Sequence, residues 1–498
     1  MGSAEVTKDR SETSHPTVLI RADNGDVLRY DDTGLVMRLS DRVLEDIAAR
    51  LVESGWQGGN TAAPTTTVAA EDDGTIELPE TLDAWSARRD GDWIRFLANP
   101  AGRSGPRGFM CKGPNGTVVA DTPTPLLALF AIGGARASLA NTRMAGFPHH
   151  IVAPGDDIGA VGLDGEEEAR SVTTVHPLRE MSHEALVAEV LLDDALDRRR
   201  ALPLFYVRAE TDGSKTAADL SRGMASDNLV KAARNMKAAA REMHKRAELL
   251  GVFVDFSLED VVSTAQDYRD GIIALMDKIT GTLSREGIPA PRFFATFECG
   301  TRQVTDDSAL EGQWQLAWNN AGHDLTILAP SYMFELDQDG RLTDRSRTLK
   351  AAISAEAVAR TRAGKTWRCP VLHLAERQGN VIRVTAQCKG KLVLDHTDPF
   401  GAGAHFGFSV EGTDVGIESV SVDPDDPKAL LITLSGAPAE GDIYLRYASG
   451  KGAVSGAGYP PNCGSLRDDF VTELSHPSAD YAPDQIRRWA LPARLKVT

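Results

Sequence analysis

The feature that most constrains this chain is Pro125-Leu126-Leu127-Ala128-Leu129-Phe130-Ala131-Ile132, an unbroken apolar run stopping at Gly133-Gly134 and followed by Ala135-Arg136. A run of that length bounded by glycine predicts a strand buried on both faces that delivers a tight turn to the edge of a sheet. From 123 to about 366 further strand and helix patterns alternate, which is the pattern of a parallel sheet covered by helices on both faces. Strands are expected at 125–132, 204–208, 252–256, 293–297 and 325–328. Apolar residues recurring every three or four positions from Leu229 to Leu250 predict a helix over 228–250, ended by Gly251. The same period at Tyr268, Ile272, Met276, Ile279 and Leu283 predicts a second over 262–285.

The flanks read differently. Residues 1–16 are a polar tail. Strand candidates 17–21 and 26–30 surround Asn24-Gly25, a hairpin signal. A helix is expected over 39–51 and a Gly/Ala/Pro/Thr linker over 58–67, and 17–122 as a whole reads as one or two small mixed or β modules. After Thr366 the period changes to two, with Asp, Gly and Pro between short strands, so a β-sandwich is expected over 367–455. Residues 456–498 are expected to pack back on the α/β domain.

Composition narrows the function class. With 498 residues the chain holds more than one domain, and 42% hydrophobic with 25% charged residues fits a globular protein. A net charge of −17 disfavours nucleic acid, whose phosphates require clustered Lys and Arg. No apolar stretch nears the ~18 residues of a membrane span, and Met1–Pro16 lacks the apolar segment of a secretory signal. The five cysteines have no paired or metal-ligand spacing, and read as reduced, mostly buried residues of a protein made in the cytoplasm. No metal-binding spacing of His or carboxylates is visible, and no cofactor is expected.

In the order of its blocks the 123–498 region resembles the SGNH (GDSL-like) hydrolases, in particular their sialate O-acetylesterase-like branch. In that family the turn after the first strand reads Gly-Gln-Ser or Gly-Asp-Ser and carries the nucleophile; here Gly133-Gly134-Ala135 stands there. Glu210-Thr211-Asp212-Gly213 follows the second strand. Phe256-Ser257-Leu258-Glu259-Asp260, with Tyr268 after it, matches a Gly-Glu-x-Asp block. Asp337-Gln338-Asp339-Gly340-Arg341-Leu342-Thr343 puts Arg341 where the family places its histidine base. Gly464-Ser465-Leu466-Arg467-Asp468 and Trp489 resemble the ending of phage-borne relatives. The implied fold is a three-layer α/β/α domain with a C-terminal β-sandwich and a small N-terminal module.

Acyl transfer by such a fold requires a hydroxyl, a base and oxyanion donors. An alanine cannot attack, and an arginine stays protonated at neutral pH. The resemblance therefore implies a catalytically degenerate scaffold that binds a surface or capsular polysaccharide, on a released virion-like particle, with other particle proteins engaged through the N-terminal module. Homo-oligomerisation is compatible with this reading, and membrane insertion is not expected. Arg341, Glu259, Asp260 and Tyr332 are the expected ligand contacts, with Asp339, Trp314 and Trp318 nearby. The alternative is an active carbohydrate O-acetylesterase with Ser138 as nucleophile and a histidine such as His149, His150, His323 or His405 as base.

Overall fold

A computed structural model of the chain describes residues 17–21, 27–31, 34–38, 69–70, 76–78, 82–100, 105–113, 116–134, 137, 139–141, 143–213, 215–255, 264–299, 308–451, 457–473 and 485–498. It divides into two compact units, Met1–Thr65 and Thr66–Thr498. In the first, strands Thr17–Arg21, Val27–Asp31 and Gly34–Arg38 form an antiparallel meander, so the segments on either side of Asn24-Gly25 pair as expected. The helix expected over 39–51 and the linker over 58–67 lie outside the described residues.

In the second unit the apolar run forms β1 (Leu126–Gly133), with every residue buried. It lies near the centre of a seven-stranded sheet with β2 (Ile151–Pro154), β3 (Val175–Pro177), β4 (Leu204–Thr211), β5 (Ala247–Asp255), β6 (Phe293–Phe297) and β7 (Leu325–Pro330). The order is β3-β2-β4-β1-β5-β6-β7, and all neighbours run parallel except β3. Five strands were expected from the sequence; β2 and β3 extend the sheet beyond β4 because their short apolar segments pair with it and with each other.

Two cores sandwich the sheet. Leu127, Leu129 and Ala131 of β1 face α1 (His183–Asp197) and α6 (Asp344–Arg362). Alternate residues Leu126, Ala128, Phe130 and Ile132 face α2 (Ala217–Leu220), α3 (Met224–Glu242) and α4 (Ala265–Arg285). A further helix, α5 (Ser308–Trp318), joins β6 to β7. The unit is thus a layered α/β fold.

The helix expected over 228–250 is corrected at both ends. It starts at Met224 and stops at Glu242, where His244 takes a left-handed backbone (φ +54°) and Lys245 N–H closes onto the Ala240 carbonyl at 2.7 Å. That is a helix stop without glycine, invisible to a search for Gly. Ala247 and Leu250, which continue the helical spacing by coincidence, belong to β5. Gly251 does not end a helix: it sits inside β5, where the Phe294 ring occupies the space a side chain would need.

Before the sheet, strands Ala84–Asp90, Trp93–Ala98, Arg107–Lys112 and Val119–Ala120 form a small antiparallel sheet over Ile94, Phe96 and Phe109. The Trp93 indole N–H bonds the Glu242 carbonyl at 3.0 Å, tying this sheet to the end of α3. After α6 the chain builds three antiparallel sheets of four, three and three strands, beginning with Val371–Gln378 and ending with Ala493–Lys496. Their apolar faces are continuous with the α1/α6 core.

Glycine is required where β1 meets β5. A methyl group at Gly133 would run into the Asp255 carbonyl, whereas one at Gly281, inside α4, meets nothing within 4 Å. Gly133→Ala should therefore cost about 1–3 kcal/mol, the usual range for overpacking. Gly281→Ala should add roughly 0.5–1 kcal/mol, the helix-propensity difference. Denaturant titration of both variants checks this; equal effects of the same sign would contradict the packing described.

Candidate functional site

In a doubly wound sheet, ligands bind outside the carboxyl ends of the strands, where the strand order reverses. Here that point is the junction of β1 with β5, at Gly133 and Asp255. Gly133 pairs with Thr211 on one side and Asp255 on the other. Gly134 N–H donates to the Asp255 carbonyl at 3.3 Å, and Asp212 N–H donates to the Gly133 carbonyl at 3.1 Å. Three strand ends are thereby joined.

Two helix N-termini arrive at the same edge. Ser182 caps α1, its hydroxyl accepting from Ala185 N–H at 3.4 Å, and this places His183 and Glu184 in the first turn. On α6, Arg347, Lys350 and Ser354 fall three and four residues apart and so share a face. Lys350 donates to the Asp255 carboxylate, His183 Nε2 lies 3.1 Å from Ser354 Oγ, and Arg347 donates to the Leu139 carbonyl at 3.2 Å. The His183 ring also meets Phe253 edge to face, with centroids 5.0 Å apart.

Electrostatics follow from burial. Lys350, Asp255, Glu184 and Ser354 are all buried. Burial, with the Lys350 and Arg347 cations adding to it and Asp255 opposing, pushes His183 down to about 3, so its imidazole is neutral at physiological pH. Burial pushes Glu184 up to about 7, against hydrogen bonds from its own backbone N–H and Ser182 that favour the charged form. Glu184 Oε2 is buried and has no hydrogen-bond partner among the described residues. A carboxyl that holds its proton near neutrality and a neutral imidazole lie side by side on α1.

The second strand end is organised from beneath. Arg208 and Glu210 of β4 are fully buried, and Arg208 binds both Asp156 and Glu210 as well as the Gly159 carbonyl. This fixes the 155–165 segment against β4. Asp164 Oδ1 from that segment accepts from Thr211 Oγ1 at 3.1 Å and from Gly213 N–H at 3.2 Å. Gly213 is thus held at the edge beside Gly133.

The residues singled out from sequence fall into three groups. Gly133, Gly134 and Gly213 come together at the strand ends. Ala135, Ser138, Glu259 and Asp260 lie outside the described residues. Asp339 and Arg341 occupy a tight turn leading into α6, where Asp337 Oδ1 accepts from Asp339 N–H at 2.9 Å and from Arg341 N–H at 2.8 Å. The Arg341 guanidinium is half-buried and forms no ion pair with a described residue, so Asp337 braces its backbone and not its charge.

Other expectations are relocated. Tyr332 is inside the core, its hydroxyl bonded to the Ala490 carbonyl at 2.8 Å and lying 3.1 Å from the Tyr447 hydroxyl, so it has no free face for a ligand. Trp314 and Trp318 belong to α5, and Trp318 lies towards the amino ends of the strands. His149, His150 and His323 are also at that opposite edge, each engaged by Val118, Pro203 or Asp277. His405 lies in the turn that leads into strand Phe408–Glu411 of the C-terminal sheets. The histidine beside the β1 and β5 ends is His183, which sequence reading missed; its signal was a capping serine followed by His-Glu ahead of an apolar run. Among the described residues no group of three His, Cys, Asp or Glu side chains could hold a metal ion, and all five cysteines are buried and unpaired.

No protein-family model matches the chain, and no curated protein matches it significantly. Among solved structures it is similar to a carbohydrate acetylesterase from Xanthomonas citri, at 13% identity over 97% of this chain and 99% of that one, with a TM-score of 0.45. An Arabidopsis thaliana protein is similar at 12% identity over 47% of this chain and 98% of that one, with a TM-score of 0.33.

The Glu184 environment makes a pH prediction. Its folded-state pKa lies above the ordinary 4.5, so the fold binds a proton that the unfolded chain has released; its contribution is complete below about pH 4.5 and lost as pH rises to about 7. Glu184→Gln should therefore be more stable relative to wild type at pH 8 than at pH 5, by on the order of 3 kcal/mol. Urea titrations of both proteins at the two pH values test it, and a pH-independent difference would refute the assignment.

Proposed function

We propose that the carboxyl edge of the sheet binds a saccharide and does not hydrolyse it, on a scaffold of the SGNH type. The order β4-β1-β5-β6-β7, second-first-third-fourth-fifth among the main parallel strands, supports that scaffold, because it is one of the two common doubly wound orders. The observation that carries the functional reading is the state of His183. A base needs a pKa near the working pH, and His183 is held at about 3 with its Nε2 beside the fully buried Ser354. Of the two cations on this face, Arg347 is a guanidinium that stays protonated, and Lys350 is paired with Asp255. None of these described groups is poised to take a proton from a hydroxyl.

Arg341 offers the complementary half of the argument. It stands where a hydrolase of this type would place its base, and its guanidinium has no described ion-pair partner. A planar guanidinium with free donors suits the hydroxyl and carboxylate oxygens of a polysaccharide. Glu259 and Asp260, four and five residues after Asp255 in the sequence, are the further ligand contacts in this reading.

Two measurements test it. Acetylated sugars and aryl acetates should release no acetate above background; turnover that disappears in Ser138→Ala would establish the esterase instead. Arg341→Ala should weaken polysaccharide binding about tenfold, since a charge-assisted hydrogen bond contributes roughly 1.5–3 kcal/mol and every 1.4 kcal/mol is a factor of ten. The melting temperature should hardly move, because Arg341 has no described ion pair to lose. Undiminished binding would remove Arg341 from the site.

A further inference from the structure

An aromatic surface lies at the other end of the fold, away from the sheet edge just described. The chain enters β7 at Leu325, and Asp324 accepts from the first residue of β6, so the end of α5 sits at the amino edge of the sheet. There Trp318 is 47% exposed, the most exposed of the large aromatic side chains among the described residues. Its ring stacks on His373, with centroids 4.7 Å apart and planes 21° from parallel.

The platform is held from below. Trp314, one turn earlier, donates its indole N–H to the Leu372 carbonyl at 2.7 Å, pinning α5 to strand Val371–Gln378 beside His373. Burial lowers the His373 pKa, which favours an uncharged imidazole in the stack. The face that carries Trp318 also carries Gln315 and Glu311, at intervals of three and four residues, and Gln315 Nε2 donates to Glu311 Oε1 at 3.4 Å. Asn319 and Asn320 follow directly.

We propose that Trp318, stacked on His373 and flanked by Gln315 and Glu311, is a second binding platform that takes the apolar face of a neutral saccharide ring. The negative face of an indole attracts the polarised C–H groups of a sugar, and planar amide and carboxylate groups alongside it match ring hydroxyls. Protein docking surfaces are built differently, from a contiguous apolar core inside a polar rim. Here the exposed aromatic surface is one ring, and Gln315 and Glu311 on the same helix face are hydrogen-bonding groups. Glu311 selects against acidic sugars. The inference does not depend on the sheet-edge reading, because the two sites lie at opposite ends of the strands.

Affinity electrophoresis of the full chain through gels containing dextran, pullulan or galactomannan tests the proposal. At least one polymer should retard the wild type, Trp318→Ala should weaken that interaction tenfold or more, and Trp318→Phe should keep most of it. Trp318→Ala should weaken retardation by the same factor in an Arg341→Ala background as in the wild type, so a failure here is distinguishable from a failure at the sheet edge. Retardation by none of the polymers, or equal retardation of Trp318→Ala, overturns the platform. A change of oligomeric state in Trp318→Ala also overturns it, assigning the surface to contact between copies of the chain.

Discussion

Everything at the carboxyl edge depends on how closely β1 approaches β5. With no side chain at Gly133, the Asp255 carbonyl can sit where a Cβ would be, and the Asp255 carboxylate then receives Lys350 from α6. One backbone approach therefore sets the position of a strand end, a buried ion pair and a helix. Buried pairs of this kind add little net stability over apolar residues, but losing one partner costs about 3–5 kcal/mol because a charge is left behind. The pair consequently works as a register pin: α6 has one position in which Lys350 is satisfied, and Arg347 and Ser354 come with it.

The same logic accounts for how far two acid–base groups at this edge depart from their ordinary behaviour. Glu184 and His183 are successive residues in the first turn of α1, pressed against a face that already holds two cations and one carboxylate. Low dielectric favours the neutral form of each, so the carboxyl gains a proton and the imidazole loses one.

Much of the architecture was legible in the sequence because it is written in hydrophobic periodicity. The five main parallel strands and the helix ending at Arg285 could be read from runs and spacing alone. The site was only half legible. Gly133, Gly134 and Gly213 announce themselves, since glycine closing an apolar run marks the place where a strand ends and the backbone must turn tightly. Lys350 and Ser354 do not, because polar residues within the alanine-rich stretch Asp344–Arg362 look like a solvated face until the sheet edge is known to lie against them. The end of α3 is hidden for a related reason: His244 adopts a left-handed backbone of the kind glycine favours, and Ala247 and Leu250 prolong the helical spacing past the real stop.

Tyr332 shows how a residue can matter to the edge without touching a ligand. Its hydroxyl bonds the Ala490 carbonyl, and a few residues on, Leu336 bridges to Gly458, so the turn bearing Arg341 hangs on the C-terminal strands. Those strands are clamped to α6 by Phe470, whose ring lies between the guanidinium groups of Arg360 and Arg488 at 4.5 and 4.4 Å. Trp367 adds a bond from its indole to the Leu328 carbonyl of β7 at 2.9 Å. The C-terminal sheets are therefore the frame that sets where Arg341 points, as much as a separate appendage. The aromatic residues predicted from sequence to meet a sugar divide accordingly: Tyr332 and Trp314, with their polar atoms bonded inside the protein, hold the frame, whereas Trp318 keeps a large part of its surface in solvent.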